Sequence, residues 1–452
     1  MKKIIERLIN YGRRVLDQAG ASSIKRNVLT AVPFWVASVI TGLIAVAYTR
    51  LFALAEEGFA AIRNWQPASI FFVTPLFFVL AFLVVKRFSP LSKGSGIPQV
   101  MAAIDLNQKK HGAMIDRLLN LKVIIIKIFS SILMVLGGGA IGREGPTIQV
   151  AGSVFRVIDK LIPKTWPKLA SQNFILTGAA AGLAAAFNTP LGGIVFAMEE
   201  LAKIHIRFFR TALFTAVIIA GLTAQGFLGP YLYLGYPNVS TSGIGIFLSV
   251  AFVAVIAGWA ASLMCRVIIK IGKWKKKFSP VNSMIFLVVA GLLMASYAYF
   301  LNDAIFGSGK VVMNHVLFSD DKLTGIGTVF SRMLGPIICF NTGASGGVFA
   351  PALAAGASLG AHISGLLTYS GGNANILILS GMVGFLTGIT RTPFTSAILV
   401  LEMTDRHGVI FHLMLASMVA NFAALTIDRH SFYEHLKKEY TKEHVPVKAS
   451  TA

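Results

Sequence analysis

From Met333 to Thr390 the chain contains no Asp, Glu, Lys or Arg. A stretch of that length cannot supply an ordinary soluble surface, on which about a quarter of all residues are charged. Apolar runs recur at Val32–Thr49, Ile70–Val85, Phe208–Phe227, Gly245–Cys265 and Met284–Phe300. A helix of about 20 such residues crosses a hydrocarbon core about 30 Å thick. Only 13% of the 452 residues are charged, and the mean hydropathy is +0.70. The expected fold class is therefore an all-α polytopic membrane protein.

The formal charge of +22 would suit a nucleic-acid binder, but its distribution does not. Lys2, Lys3, Arg7, Arg13, Arg14, Lys25 and Arg26 precede the first apolar run, and Lys273, Lys275, Lys276 and Lys277 separate two later ones. Basic residues in short flanking segments mark the cytoplasmic side of a membrane. Both termini are expected there, the C-terminal one through Lys437, Lys438 and Lys442. No recognition motif accompanies the charge, so the expected surroundings are a lipid bilayer and not nucleic acid. Residues 1–27 place Ile4, Ile5, Leu8, Ile9, Val15 and Leu16 at helical spacing among charges, without the apolar core of a signal peptide. An amphipathic cytoplasmic helix is expected over 1–30. Cys265 and Cys339 stand alone, and His205, His362 and His407 are scattered. Neither set has ligand spacing, so no metal site is expected.

Several apolar stretches are interrupted by glycine and proline. Phe174–Met198 holds Gly178, Gly182, Pro190, Gly192 and Gly193, and Gly343–Leu366 holds six glycines and Pro351. Non-helical backbone at membrane depth survives only inside protein or along a cavity. Broken segments repeated in two halves point to a transport site. Such a repeat is present here. Pro146 and Pro351 are 205 residues apart, Pro190 and Pro393 are 203 apart, and Glu199 and Glu402 are 203 apart. The reading is two related halves, about 31–230 and 240–427, of inverted topology, forming a transport domain over 31–427. A short C-terminal helix and tail over 428–452 complete it.

Three broken segments carry the chemistry: Gly94-Ser95-Gly96-Ile97-Pro98, Gly142-Arg143-Glu144-Gly145-Pro146 and Gly347-Val348-Phe349-Ala350-Pro351. Each offers a helix N-terminus with free N–H groups, which bears about half a positive charge and binds anions without a full cation. A permeating ion must be held in this way without being trapped. Glu144 adds a carboxylate, at a cost of about 2.5–3.5 kcal/mol at membrane depth. An acid beside an anion site suggests a protein that moves an anion and a proton.

In order and spacing these three motifs closely resemble those of the CLC family of chloride channels and chloride/proton antiporters, from about Pro33 to Tyr433. The resemblance implies a CLC-like fold with many tilted and broken helices, and chloride as substrate without a cofactor. It implies that Ser95 and Tyr433 donate hydroxyls to a central chloride. The backbone of Val348 and Phe349, with Gly347 ahead of them, would complete that site. Glu144 would be the external gate, taking up a proton and competing with chloride, and the N–H groups of Arg143 and Glu144 would line the outer site. Glu200 matches the internal proton glutamate of coupled members, which favours chloride/proton exchange over a passive chloride channel of the same fold. Lys127 matches a buried cation with an electrostatic role. A homodimer with one pathway per subunit is implied as well. About 25 residues follow Ile427, too few for the paired regulatory domains of eukaryotic relatives, so a prokaryotic plasma-membrane protein is expected. No Ser/His/Asp set or H-E-x-x-H motif suggests an enzyme.

Overall fold

The uncharged and weakly charged stretches form long helices whose faces divide between lipid and protein. The computed structural model describes residues 22–106, 108–163, 165–167, 169–201, 210–229, 232–240 and 243–441. The first half comprises α1 (Ser22–Trp65), α2 (Ile70–Phe88), α3 (Ile97–Asp105), α4 (Gln108–Leu118) and α5 (Leu121–Leu136). It continues through α6 (Glu144–Leu161), α7 (Ser171–Phe187), α8 (Pro190–Phe196) and α9 (Arg210–Leu228). The second half comprises α10 (Gly245–Lys275), α11 (Pro280–Phe300), α12 (Lys310–Phe318) and α13 (Ile326–Asn341). Then follow α14 (Phe349–Leu366), α15 (Gly371–Thr390), α16 (Pro393–Thr404), α17 (Ile410–Ile427) and the short α18 (Phe432–Thr441). Among the described residues, nine helices are long and apolar enough to cross a membrane, and there is no strand.

Exposed apolar side chains such as Phe72, Leu248, Phe300 and Phe411 cover the outer helices α2, α10, α11 and α17. In water such a surface would aggregate, whereas lipid tails solvate it. The central helices are enclosed instead. Within the apolar window of α15, 94% is buried in protein, against 33% for α11.

Two expectations change. The boundary placed at residue 30 falls inside α1, which runs unbroken for 44 residues through Pro33. Residues 1–21, with most of the expected amphipathic segment, lie outside the described residues, as do 202–209 with His205 and the tail 442–452. The glycines of Gly343–Leu366 also do not break the helix throughout. The break lies before Phe349, and Gly356 and Gly360 sit inside α14, where they let α15 approach.

Helices α6 and α7 pair antiparallel, and α14 and α15 repeat the pairing. A Cβ on Gly381 would lie 2.3 Å from the Gly356 carbonyl oxygen, and one on Gly360 would lie 2.5 Å from that of Leu377. In the first half, α7 ends at Asn188, whose φ of 57° is left-handed, and Pro190 starts α8. In the second, α15 ends at Arg391 with φ of 61°, and Pro393 starts α16. The two halves then exchange caps. Glu402 accepts the N–H groups of Leu191 (3.0 Å) and Gly192 (2.8 Å) at the start of α8. Glu199 accepts those of Phe394 (3.2 Å) and Thr395 (2.7 Å) at the start of α16, plus the Thr395 hydroxyl (2.8 Å). Reciprocal contact of matched residues is the signature of a two-fold relation.

Gly381→Ala drives a methyl into backbone that cannot yield and is expected to destabilise by about 1–3 kcal/mol. Gly226→Ala, in α9 with open space around it, should melt at or above the wild-type temperature. Thermal unfolding in detergent reads both, and equal melting of Gly381→Ala and wild type would refute the close-packed crossing.

Candidate functional site

The three broken segments meet at the centre of the fold, joined by backbone. Gly142 and Gly347 exchange both N–H···O bonds at 2.8 Å. Gly94 donates to Ala344 O at 2.8 Å and accepts from Gly346 N at 3.1 Å. Gly94 and Gly96 hold φ values of 64° and 104°, a region that side-chain-bearing residues rarely enter. Helices α3, α6 and α14 start at this junction, each with a proline in its first turn. The first ladder bonds are Val100 N to Gly96 O, Thr147 N to Arg143 O and Ala352 N to Val348 O. The N–H groups of Glu144, Gly145, Phe349 and Ala350 therefore precede the ladders of α6 and α14.

Glu144 is 1% exposed. Its carboxylate lies against its own backbone N–H. A Cβ on Gly142 would lie 2.3 Å from Glu144 Oε2 and 3.2 Å from Ala350 N. The carboxylate thus sits beside the starts of both α6 and α14, and only glycine at 142 leaves it room. The Tyr233 hydroxyl donates to Oε1 at 3.4 Å, and Arg143 Nε lies 4.0 Å from the same oxygen.

Ser95 and Tyr433 are also buried, at 1% and 0% exposure. Their hydroxyls interact with each other, but neither meets hydrogen-bond geometry with any described protein group. A buried hydroxyl without a partner costs about 1–3 kcal/mol, so this pair calls for an acceptor from outside the protein. The Ser95 hydroxyl lies 2.2 Å from where a Cβ on Gly145 would stand, so it too faces the start of α6. Phe349 stacks on Tyr433 with ring centres 6.5 Å apart, and Phe187 lies 5.9 Å from Phe349. Val348 and Gly347 belong to the same junction.

Lys127 is wholly buried, and its ammonium donates to the carbonyls of Ser92 (3.0 Å), Lys93 (3.5 Å) and Gly94 (2.7 Å). It holds the loop that presents Ser95. Ser345 joins the same loop through its hydroxyl, 2.7 Å from Ser92 O. Glu200 is half-buried on a π-helical turn over Ala197–Leu201 that follows α8. The Tyr433 hydroxyl feels the charges of both Glu200 and Glu144.

Sequence reasoning missed Tyr233, which shares the segment 232–240 between the halves with Tyr236. It also missed Lys310, whose ammonium lies 5.5 Å from the Tyr233 ring centre. Neither carries a motif. Asp428, His430 and His435 likewise come together, with potential ligand atoms within 4.8 Å of one another, although no metal site is expected from sequence. Burial pushes the Asp428 carboxyl up, but the His430 N–H and the His435 ring outweigh it and hold the group below its usual value. This cluster braces the turn from α17 into the helix that carries Tyr433.

Residues 77–425 match the family model described as voltage gated chloride channel. A curated relative, the H(+)/Cl(-) exchange transporter ClcA of Yersinia pseudotuberculosis serotype IB (strain PB1/+), is 28% identical over 408 residues, covering 86% of this chain and 83% of its own. The protein of the same description from Citrobacter koseri is 26% identical over 411 residues, with 86% and 84% covered. A crystal structure of a slow cyanobacterial Cl⁻/H⁺ antiporter superposes with a TM-score of 0.78 at 23% identity, covering 92% of this chain and 99% of that one. A CLC-type fluoride/proton antiporter superposes with a TM-score of 0.74 at 18% identity, over 91% and 98%.

Lys127→Met takes the charged donor from the carbonyls of Ser92 and Gly94, which keep only the Ser345 hydroxyl and the Gly346 N–H. The expected loss is about 2–4 kcal/mol, read as a lower melting temperature, with weaker chloride binding by calorimetry because Ser95 adjoins the freed loop. Wild-type melting and affinity would show that the ammonium does not hold this loop.

Proposed function

The chain belongs to the voltage gated chloride channel family, and on that premise we propose that it is a secondary transporter exchanging chloride for protons across a membrane. The observation that carries this reading is the position of Glu144, whose carboxylate lies against the helix starts that an anion would use. A carboxylate and a chloride compete for the same N–H groups and the same partial positive charge. Protonation removes the charge of Glu144 and with it the attraction, so the side chain yields its place to chloride. Each chloride that displaces the gate therefore favours uptake of a proton. Coupling follows from competition.

Chloride binds deeper between the Ser95 and Tyr433 hydroxyls, at the backbone of Val348 and Phe349. Both are buried, and a bond between the two hydroxyls leaves at least one donor without a protein acceptor. Retention of the Ser95 and Tyr433 hydroxyls supports chloride over fluoride as the transported anion. Glu200 supplies protons from the opposite side; its half-buried position and its electrostatic reach to Tyr433 support that role. The functional unit is a homodimer in a prokaryotic inner membrane with both termini cytoplasmic, in keeping with the basic flanks of the spans.

Crossed chloride and pH gradients across liposomes test the reading. A chloride gradient alone should drive protons uphill in the opposite sense to the anion, and chloride flux without proton movement would make the protein a channel. Glu144→Gln should abolish proton movement and leave chloride flux intact. Glu200→Gln should cut proton movement at least tenfold while Glu144 still responds to external pH. Undiminished coupling in either variant would remove that glutamate from the proton path.

A further inference from the structure

We infer that Tyr233 is a positioning residue for the gate, holding the Glu144 carboxylate in the anion path through a hydroxyl whose ring is fixed by Phe187 and Lys310. This rests on the gating role of Glu144. Tyr233 is 4% exposed and comes from the segment that joins the two halves. Its backbone is pinned next door, where Leu234 N donates to Met403 O at 3.2 Å. Phe187 meets the ring edge-on with centres 4.9 Å apart, and the Lys310 ammonium lies 5.5 Å from the ring centre. Phe187 in turn contacts Phe349, which stacks on Tyr433. Packing on both sides leaves the phenol little freedom, and its hydroxyl points at Glu144 Oε1, 3.4 Å away.

A hydroxyl aimed at a carboxylate interacts more favourably with its ionised than with its neutral form. Tyr233 therefore favours the charged gate in its inserted position and loses most of that hold once Glu144 is protonated. The other ionisable groups facing Glu144 are Arg143, Glu56, Tyr48, Lys310 and Tyr433. Arg143 and Lys310 act on the carboxylate through charge and Glu56 opposes it. Tyr233 adds direction, because its bond exists at one place only. Lys310 is exposed, so its ammonium also draws anions toward this end of the path.

The test is the pH profile of chloride efflux from liposomes containing the full-length protein. Tyr233→Phe keeps the ring and deletes the bond, so efflux should persist to higher pH, with the midpoint displaced by about half a unit or more. In a Glu144→Gln background, where no charge remains to be held, adding Tyr233→Phe should change efflux by less than twofold. Lys310→Gln, at an exposed position, should move the wild-type profile in the same direction. An unmoved profile in Tyr233→Phe, or an equal change with and without Glu144, overturns the inference. Absence of chloride-driven proton movement in the unaltered protein would instead overturn the exchange reading itself, so the two failures are distinguishable.

Discussion

The paired backbone bonds between Gly142 and Gly347 are the constraint on which the rest of the site depends. They bring the first turns of α6 and α14, taken from opposite halves of the chain, to one point at membrane depth. N–H groups at a helix start must find acceptors, and lipid offers none. Two such starts side by side therefore create a demand for negative charge that the fold cannot avoid. Glu144 meets this demand from within the chain. Its carboxylate would be costly anywhere in so apolar a protein, and here the helix starts that created the demand offset part of that cost. The proposed anion binding and gating thus share one physical origin.

Two buried cations, Lys127 and Arg332, serve that arrangement without sitting in it. Lys127 spends its three donors on the carbonyls of residues 92–94, and Arg332, also fully buried, donates to the carbonyls of Ile305, Phe306 and Gly307. Arg332 satisfies loop carbonyls away from water, and Lys127 adds a charged donor to carbonyls that Ser345, Gln99 and Gly346 also bond. A cation placed directly on the anion path would trap a permeating ion. Cations that brace the proposed path from behind, with helix starts facing it, would keep binding weak enough for release.

Much of this was legible in the sequence because it was written in local pattern. Charge-free stretches locate membrane helices, and proline following glycine locates helix starts. The spacing of Pro190 to Glu199 and of Pro393 to Glu402 exposes the repeat. What those glutamates do was not legible, since each caps a helix of the other half about 200 residues away. Tyr233 was hidden for a similar reason. Nothing in Tyr231-Leu232-Tyr233-Leu234 distinguishes one tyrosine from the next, and the contact with Glu144 spans 89 residues. Lys127 was found, but its partners were not, because three carbonyls leave no mark in a sequence. The glycines of α14 misled in the opposite direction. They look like helix breakers, whereas their positions against α15 make them packing residues, and only the neighbouring helix reveals the difference.

The exchanged caps also bear on how the site stays assembled. Helix α8 is seven residues long, too short to persist alone. Its first N–H groups are held by Glu402 from the second half, and those of α16 are held by Glu199 from the first. Neither half can complete its own helix starts, so each is an incomplete structure without the other. Glu200 follows directly after Glu199, and its placement therefore depends on a cap that the second half receives. The proposed proton route and the anion route then share a single framework, with the halves joined at Gly142 and Gly347 on one level and at Glu199 and Glu402 on another. A motion that separated the halves would break both sets of bonds at once. Side-chain movement of Glu144 breaks neither, and this favours a gate that turns on one residue within a rigid frame over a rocking of the two halves.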